Sequence, residues 1–426
     1  MATAPKTPPR PQLPPLQGRL VRDLSLRPEI SEALQWFARE RLWINERHLE
    51  LCRVVAPTFF ERPRAEWFCA QLTAMGWNAA LDRAGNVIAA LGDHPGDAVC
   101  VISAHLDTVF APDRPEDIHY GPDGRILGPG TSDNGSGLSG LLAIAKVLRS
   151  SDKLRNLAKS VLLVANVGEE GEGNLNGMRY LCSHLDDYCS APDRLRAFLV
   201  LDGPSIEHIT SQALASRRFE LTFSGPGGHS WNDHGTPNPV HIVAEAITSY
   251  VQHAESEIVS RNRGICSYNF GIIEGGTSVN SIPSSVRTKL DIRSEDAPVL
   301  TALSTLLTSV VERSLEQANR GARSGRLTAR IKDLGARPGG KLPEDAPLLK
   351  AVHAVDAHLN IRSRLDCAST DANVPLSLGL PAISIGAGGQ GGGAHTHSEW
   401  YQPEGRELGL KRILLLLTLL NADASV

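Results

Sequence analysis

Apolar and polar residues alternate along this chain in two different rhythms, and the switch between them divides it. In residues 30–52, Leu34, Phe37, Leu42 and Leu49 recur at helical spacing and predict an amphipathic helix, closed off by Pro57. Residues 64–75 predict a second helix, stopped at Gly76, and residues 77–91 a hairpin turning at Ala84-Gly85-Asn86. Apolar runs at 98–104, 160–167 and 197–201 read as strands buried on both faces, with helices at 137–148 and 176–185 between them. Strand and helix in alternation predict an α/β domain whose mainly parallel sheet is covered by helices.

After Asp202 the rhythm changes. Residues 217–224, 267–274, 286–293 and 327–334 read as a second set of strands, while 239–254 and 298–318 are helical. The order β-α-β-β-α-β is that of a ferredoxin-like α+β unit, and Gly-rich stretches flank it. We therefore expect an inserted domain at 213–337 within a core domain made of 19–212 and 338–426. The core resumes with a helix at 348–359, a strand at 381–386, a Gly-rich loop and a closing helix from Gly405. Residues 1–18, dense in proline, read as an arm outside both domains and lack the apolar stretch of a secretory leader.

Composition narrows the possible partners. Apolar residues make up 41% and charged residues 21% of the chain, as in a soluble globular protein. A net charge of −4 offers no basic footprint for nucleic acid or an anionic membrane, and no apolar run is long enough to span a bilayer. Neither partner is expected. The seven cysteines are scattered and form no CxxC pair, which points to reduced thiols and a cytoplasmic setting.

The candidate chemistry sits at the ends of the buried strands, where open α/β sheets bind ligands. VCVISAHLDTVF supplies His105 and Asp107 at the end of its apolar run, and GPGTSDNGSG places Asp133 just before an apolar helix. Glu169 and Glu170 follow the next strand, Asp202 the third, and His395 comes late in the chain. His105, Asp133, Glu170, Asp202 and His395 have the chemistry and strand-end placement for a two-metal site, and their wide spacing fits assembly from successive βα loops. Imidazoles with carboxylates suit two Zn²⁺ ions per chain, with Co²⁺ or Mn²⁺ as substitutes. Asp133 is the natural bridge between them. Side chains of adjacent residues diverge, so Glu170 is assigned as ligand and Glu169 as the general base that stays free of metal. Asp107 is placed to accept the second N–H of His105 and fix its tautomer.

These segments resemble the M20 family of metallopeptidases, which also includes deacylases such as aminoacylase and succinyl-diaminopimelate desuccinylase. The matching stretches are SAHLDTV, GTSDNGSG, NVGEEGEGNLNG, LVLDG, FSGPGGHSW, NSIPSSVRTKLDIRS, STDAN and GAHTHSEW, in family order. The resemblance implies a zinc-peptidase-like catalytic domain, with the insertion acting as lid and homodimerisation domain. It implies two zincs on the five residues above, Glu169 as base and a cis peptide after Asp133. The late ligand is open between His395 and His397. Family members commonly place it four residues before a glutamate, and His395 precedes Glu399 by four, so His395 is chosen. His229 in GPGGHSW resembles the family histidine that reaches a neighbouring subunit's active site to meet the substrate carbonyl or the oxyanion. Asn280 and Arg293 match positions that hold substrate oxygens. GEEGEGNLNGMR resembles PepT-like tripeptide aminopeptidases, so the expected substrate is a small peptide. The alternative is an N-acyl-amino-acid amidohydrolase using the same metal site. A non-catalytic binding protein of this fold is the remote third reading, and the intact residue set argues against it.

Overall fold

The computed structural model describes residues 15–91, 99–189, 194–262 and 264–422. It divides into two units. The first comprises Met1–Ser211, Lys341–Asp366 and Thr370–Val426, and the second Gln212–Gly340 with Cys367–Ser369.

The first unit is built on Cys100–His105, six residues that are all buried. An apolar run of this kind has no polar face, so it must be covered on both sides. Val161–Asn166 and Ala197–Leu201 flank it in parallel, and Ala382–Ile385 adds to the latter in parallel. The hairpin Asn78–Leu81 and Val87–Ala90 joins the other edge antiparallel. Its turn forms because Asp82 Oδ1 accepts the backbone N–H groups of Ala84, Gly85 and Asn86. The register aligns His105 with Asn166, so the residues that carry chemistry leave adjacent parallel strands at the same sheet edge. Helix Gly135–Leu148, buried at all but one position, packs on Cys100–His105 and on helix Arg41–Arg53.

Two elements differ from the sequence reading. The helix expected over 30–52 is two, Pro28–Arg39 and Arg41–Arg53, broken at Glu40 with φ −98° and ψ 25°. The proline-dense arm expected over 1–18 gives way to helix Pro15–Ser25. Residues 1–14 lie outside the described residues.

In the second unit the strand order is Cys266–Gly275, Ser285–Ser294, Ala215–Ser224, Thr328–Arg337, with every neighbouring pair antiparallel. This is the ferredoxin-like order. Helices Pro239–His253 and Ala297–Gly321 pack on the sheet and on each other around a core that includes Phe219, Phe223, Tyr250, Leu290 and Val310. Asn238 caps the first of these helices by accepting the Val240 N–H, with Pro239 at its opening position.

Candidate active site

His105 is the last residue of its strand, and its side chain is 1% exposed. Its Nδ1 lies 3.0 Å from the Asp107 backbone oxygen and 3.5 Å from the Asp107 carboxylate. The backbone carbonyl is therefore the nearer partner of the ring, which fixes Nδ1–H as donor and turns Nε2 into the site. The Asp107 carboxylate has other work. It accepts the N–H groups of Glu169 at 2.9 Å and Glu170 at 2.8 Å, and the Thr58 hydroxyl at 3.0 Å. Asp107 thus joins the end of one strand to the acidic turn after the next.

Asp133 sits at the centre. Its Oδ1 lies 3.0 Å from His105 Nε2, and its Oδ2 lies 3.1 Å from His395 Nε2. Asp202 Oδ1 approaches the same His105 nitrogen to 3.9 Å, and Glu170 Oε1 approaches His395 Nε2 to 3.1 Å. His105, Asp133 and Asp202 form one group able to hold a cation, and Asp133, Glu170 and His395 form another. The two share only Asp133. Glu169 is buried and belongs with His105 and Glu170 to a third group of neighbouring ligand atoms. His397 is in none of the groups; its ring lies 4.6 Å from the ring of Phe110.

These groups set one another's protonation. Burial alone would lower the His105 imidazole, but Asp107 and Asp133 outweigh it and hold the ring well above its ordinary value. Asp133 and Glu170 raise His395 to about 10. Burial would raise Asp133, yet the two histidines hold it well below the usual carboxylate range. Asp202 goes the other way, pushed up to about 7 by burial and then by the neighbouring Asp133. Opposed shifts gathered in one place are a feature that chemical sites share with structural ion-pair networks.

Two supports escaped the sequence reading. Glu399, noticed there only as a spacing mark, accepts the N–H groups of Gly130, Ser132 and Asp133, each at 2.7 Å. Asn134 follows the Asp133–Asn134 cis peptide. Its amide donates to Leu201 O at 2.8 Å, and its oxygen accepts from Gly137 and Gly203. It ties the Asp133 segment to the Asp202 segment. The surplus of polar residues in GTSDNGSG is the only sequence signal for it.

In the second unit, His229 faces Ser281 on a short antiparallel pair, and Asn280, the residue before that strand, accepts the Ser230 N–H at 2.9 Å on its backbone oxygen. His229 Nδ1 accepts backbone N–H groups from Trp231 and Asn232, and Asn280 takes the Ser278 hydroxyl. Arg293 is not with them. It lies eight residues beyond Ser285 on the strand, roughly 27 Å away at 3.4 Å per residue, and donates through Nε to Asp291 at 2.7 Å.

The model of peptidase family M20/M25/M40 matches residues 101–419, well over half of the chain. Among curated proteins, a probable succinyl-diaminopimelate desuccinylase of Staphylococcus epidermidis is 25% identical over 249 residues, 50% of this chain and 57% of that protein. The chain thus spans little more than half the length of the curated relatives it matches. Among solved structures, a tripeptidase from Staphylococcus aureus aligns with a TM-score of 0.71 at 18% identity, over 90% of this chain and 99% of that one. The aminopeptidase PepT from Bacillus cereus aligns at 0.68 and 20% identity, over 89% and 99%. At these identities the likeness is one of fold.

Proposed function

The chain belongs to peptidase family M20/M25/M40, and from that premise we propose that it is a dinuclear metal hydrolase of amide bonds in small peptides, of the di- or tripeptide aminopeptidase kind. The observation that carries this reading is the division of Asp133, whose two oxygens face two different donor sets. The donors are two imidazoles and three carboxylates, a set that suits two Zn²⁺ ions, with Co²⁺ or Mn²⁺ as substitutes. Two such ions would supply Lewis acidity, acidifying a water and polarising the scissile carbonyl.

The chain's own residues do the rest. Glu169 takes a proton from the attacking water and returns it to the leaving nitrogen. Its buried place beside His105 and Glu170, on a turn held by Asp107, supports that role. His229 and Asn280 offer donors to the developing oxyanion, and Arg293 suits a substrate carboxylate. The resemblance of the GPGGHSW segment to one whose histidine reaches a neighbouring subunit's site supports a homodimer in which His229 comes from the other copy. The edge strand Cys266–Gly275, with Ile272 and Ile273 exposed, supports pairing through this unit. Sedimentation at micromolar concentration that finds only monomer overturns it. None of the seven cysteines forms a disulfide, which supports the reading of a cytoplasmic enzyme.

The competing reading is an N-acyl-amino-acid amidohydrolase, favoured by the name of the curated relative. Metal analysis followed by hydrolysis of dipeptides, tripeptides and N-acyl amino acids separates the two. Two zincs per chain with release of N-terminal residues supports the peptidase. Activity confined to N-acyl substrates moves the protein to the deacylases. Glu169→Gln is expected to retain metal and lose turnover by roughly 10²–10⁴-fold; unchanged turnover overturns the mechanism.

A further inference from the structure

Beside the ligand cluster the chain holds apolar side chains out into solvent. Phe59 and Phe60 are adjacent and 66% and 70% exposed. Phe59 has φ +77°, a left-handed conformation that a bulky residue keeps only where its surroundings enforce it. What enforces it here is attachment to the site. Ala56 O accepts the Thr108 N–H at 3.0 Å, Pro57 bridges to Thr108, and the Thr58 hydroxyl donates to Asp107. On the other side, Glu61 Oε1 accepts the N–H of Gly168, the residue before Glu169. The loop is fastened at both ends to the segments that carry the chemistry. Val109 and Phe110, exposed in turn, continue the segment after Asp107, and Phe110 lies against the ring of His397, two residues past His395.

Single exposed apolar residues are ordinary. Here three phenylalanines stand on segments hydrogen-bonded to or continuous with one ligand cluster, one of them in a left-handed backbone. We propose that Phe59, Phe60 and Phe110 form an apolar subsite that takes a large apolar side chain of the substrate residue next to the scissile bond. The inference rests on the hydrolase reading and names its substrate class: peptides or acyl amino acids bearing Leu- or Phe-like side chains. The segments that carry these rings are fastened to those assigned to catalysis, so a substrate is its occupant rather than a second protein.

The test compares kcat/KM for Ala-, Leu- and Phe-containing dipeptides and N-acyl amino acids in the wild type, Phe60→Ala, Phe110→Ala and Phe59→Gly. Glycine suits the left-handed position, so the last variant keeps its fold. The expected result is a wild-type preference for Leu and Phe over Ala that collapses by roughly tenfold or more in the variants, through KM. Variants that change all substrates alike overturn the subsite. A second measurement needs no turnover: calorimetric titration of L-phenylalanine and L-alanine into the zinc-loaded protein. Tighter binding of phenylalanine, lost in Phe60→Ala, supports the subsite even in a protein that hydrolyses nothing, which overturns the hydrolase reading instead. Turnover without side-chain preference keeps the hydrolase and overturns the subsite. So does a Phe60→Ala variant whose sedimentation changes while its preference does not, since the surface is then a contact between copies.

Discussion

Glu399 accepts three backbone N–H groups from the loop that delivers Asp133, and it is 3% exposed. Burial pushes its carboxyl up to about 7 while those donors pull it down. Glu399→Gln replaces one accepting oxygen by an N–H₂ donor that faces backbone donors. Buried donors left without partners cost about 1–3 kcal/mol each, and loss of a group that orients a metal ligand weakens affinity roughly 10–100-fold. The variant is therefore expected to bind zinc more weakly and to unfold at lower urea; wild-type zinc affinity would refute the positioning role. His48 holds the same loop from the other side. Its Nε2 lies 2.7 Å from Thr131 O and donates to it, so Nδ1 accepts from Arg406 at 2.9 Å. Burial first, and then Arg406, hold this imidazole well below its ordinary 6.5. Below that pH the unfolded chain takes a proton that the native chain refuses, so the contribution of His48 to stability is full above pH 6.5 and is lost as pH drops. Asp202, Glu399 and His395, all raised, act in the opposite sense over the same range, so the test is a difference: the urea midpoint of His48→Asn relative to wild type should rise as pH drops from 7.5 to 5. A difference that stays constant with pH refutes this contribution of His48.

At the scale of elements, the approach of helix Gly135–Leu148 to the end of strand Ala197–Leu201 sets the distance between two ligand-bearing segments. A Cβ on Gly137 would collide with Asn134 Oδ1 and come within 2.6 Å of Leu201 O, the carbonyl that the Asn134 amide holds. Gly137→Ala gains about 1 kcal/mol of helix propensity but forces that junction apart. We expect net destabilisation and weakened metal binding, measured by calorimetric zinc titration; a variant more stable than wild type with unchanged zinc affinity shows that the junction yields freely. The strands at this junction were legible because a buried parallel strand is an apolar run closed by polar residues, as in AFLVL before Asp202 and LLVAN before the glutamates. The break at Glu40 was not, since Leu34, Phe37 and Leu42 carry the helical period across it with no Gly or Pro to mark it. Nor were His119–Tyr120, Ile126–Leu127 and Gln390–Gly392, too short to display a period of two. The candidate ligands were readable one at a time from their strand ends. The Glu399 clamp was not, because it joins residues 267 apart in sequence and exists only once the chain has folded.

For the whole molecule, the distribution of cores and ligands makes metal removal an informative experiment. Every residue of the ligand groups belongs to the first unit, and the second has its own apolar core around Phe219, Phe223 and Leu290. Without cations, Asp133 is stabilised only by the two histidines it holds charged, while Asp202 is pushed toward its protonated form. A cation that binds this arrangement only as folded would stabilise the first unit by mass action, about 4 kcal/mol were free zinc 1,000 times its Kd. The second unit contributes no residue to those groups and gains nothing directly. Scanning calorimetry of the zinc-loaded protein and of the same protein dialysed against a chelator should therefore show one transition moving to lower temperature while the transition of the second unit holds its place. Restoring zinc should move the first one back. Loss of both transitions together would mean that the second unit depends on the metal-bearing one for its own stability, and the two cores could no longer be treated as independent. No movement of either transition would count against the ligand cluster as a metal site at all, because groups that bind no cation have nothing to lose to a chelator.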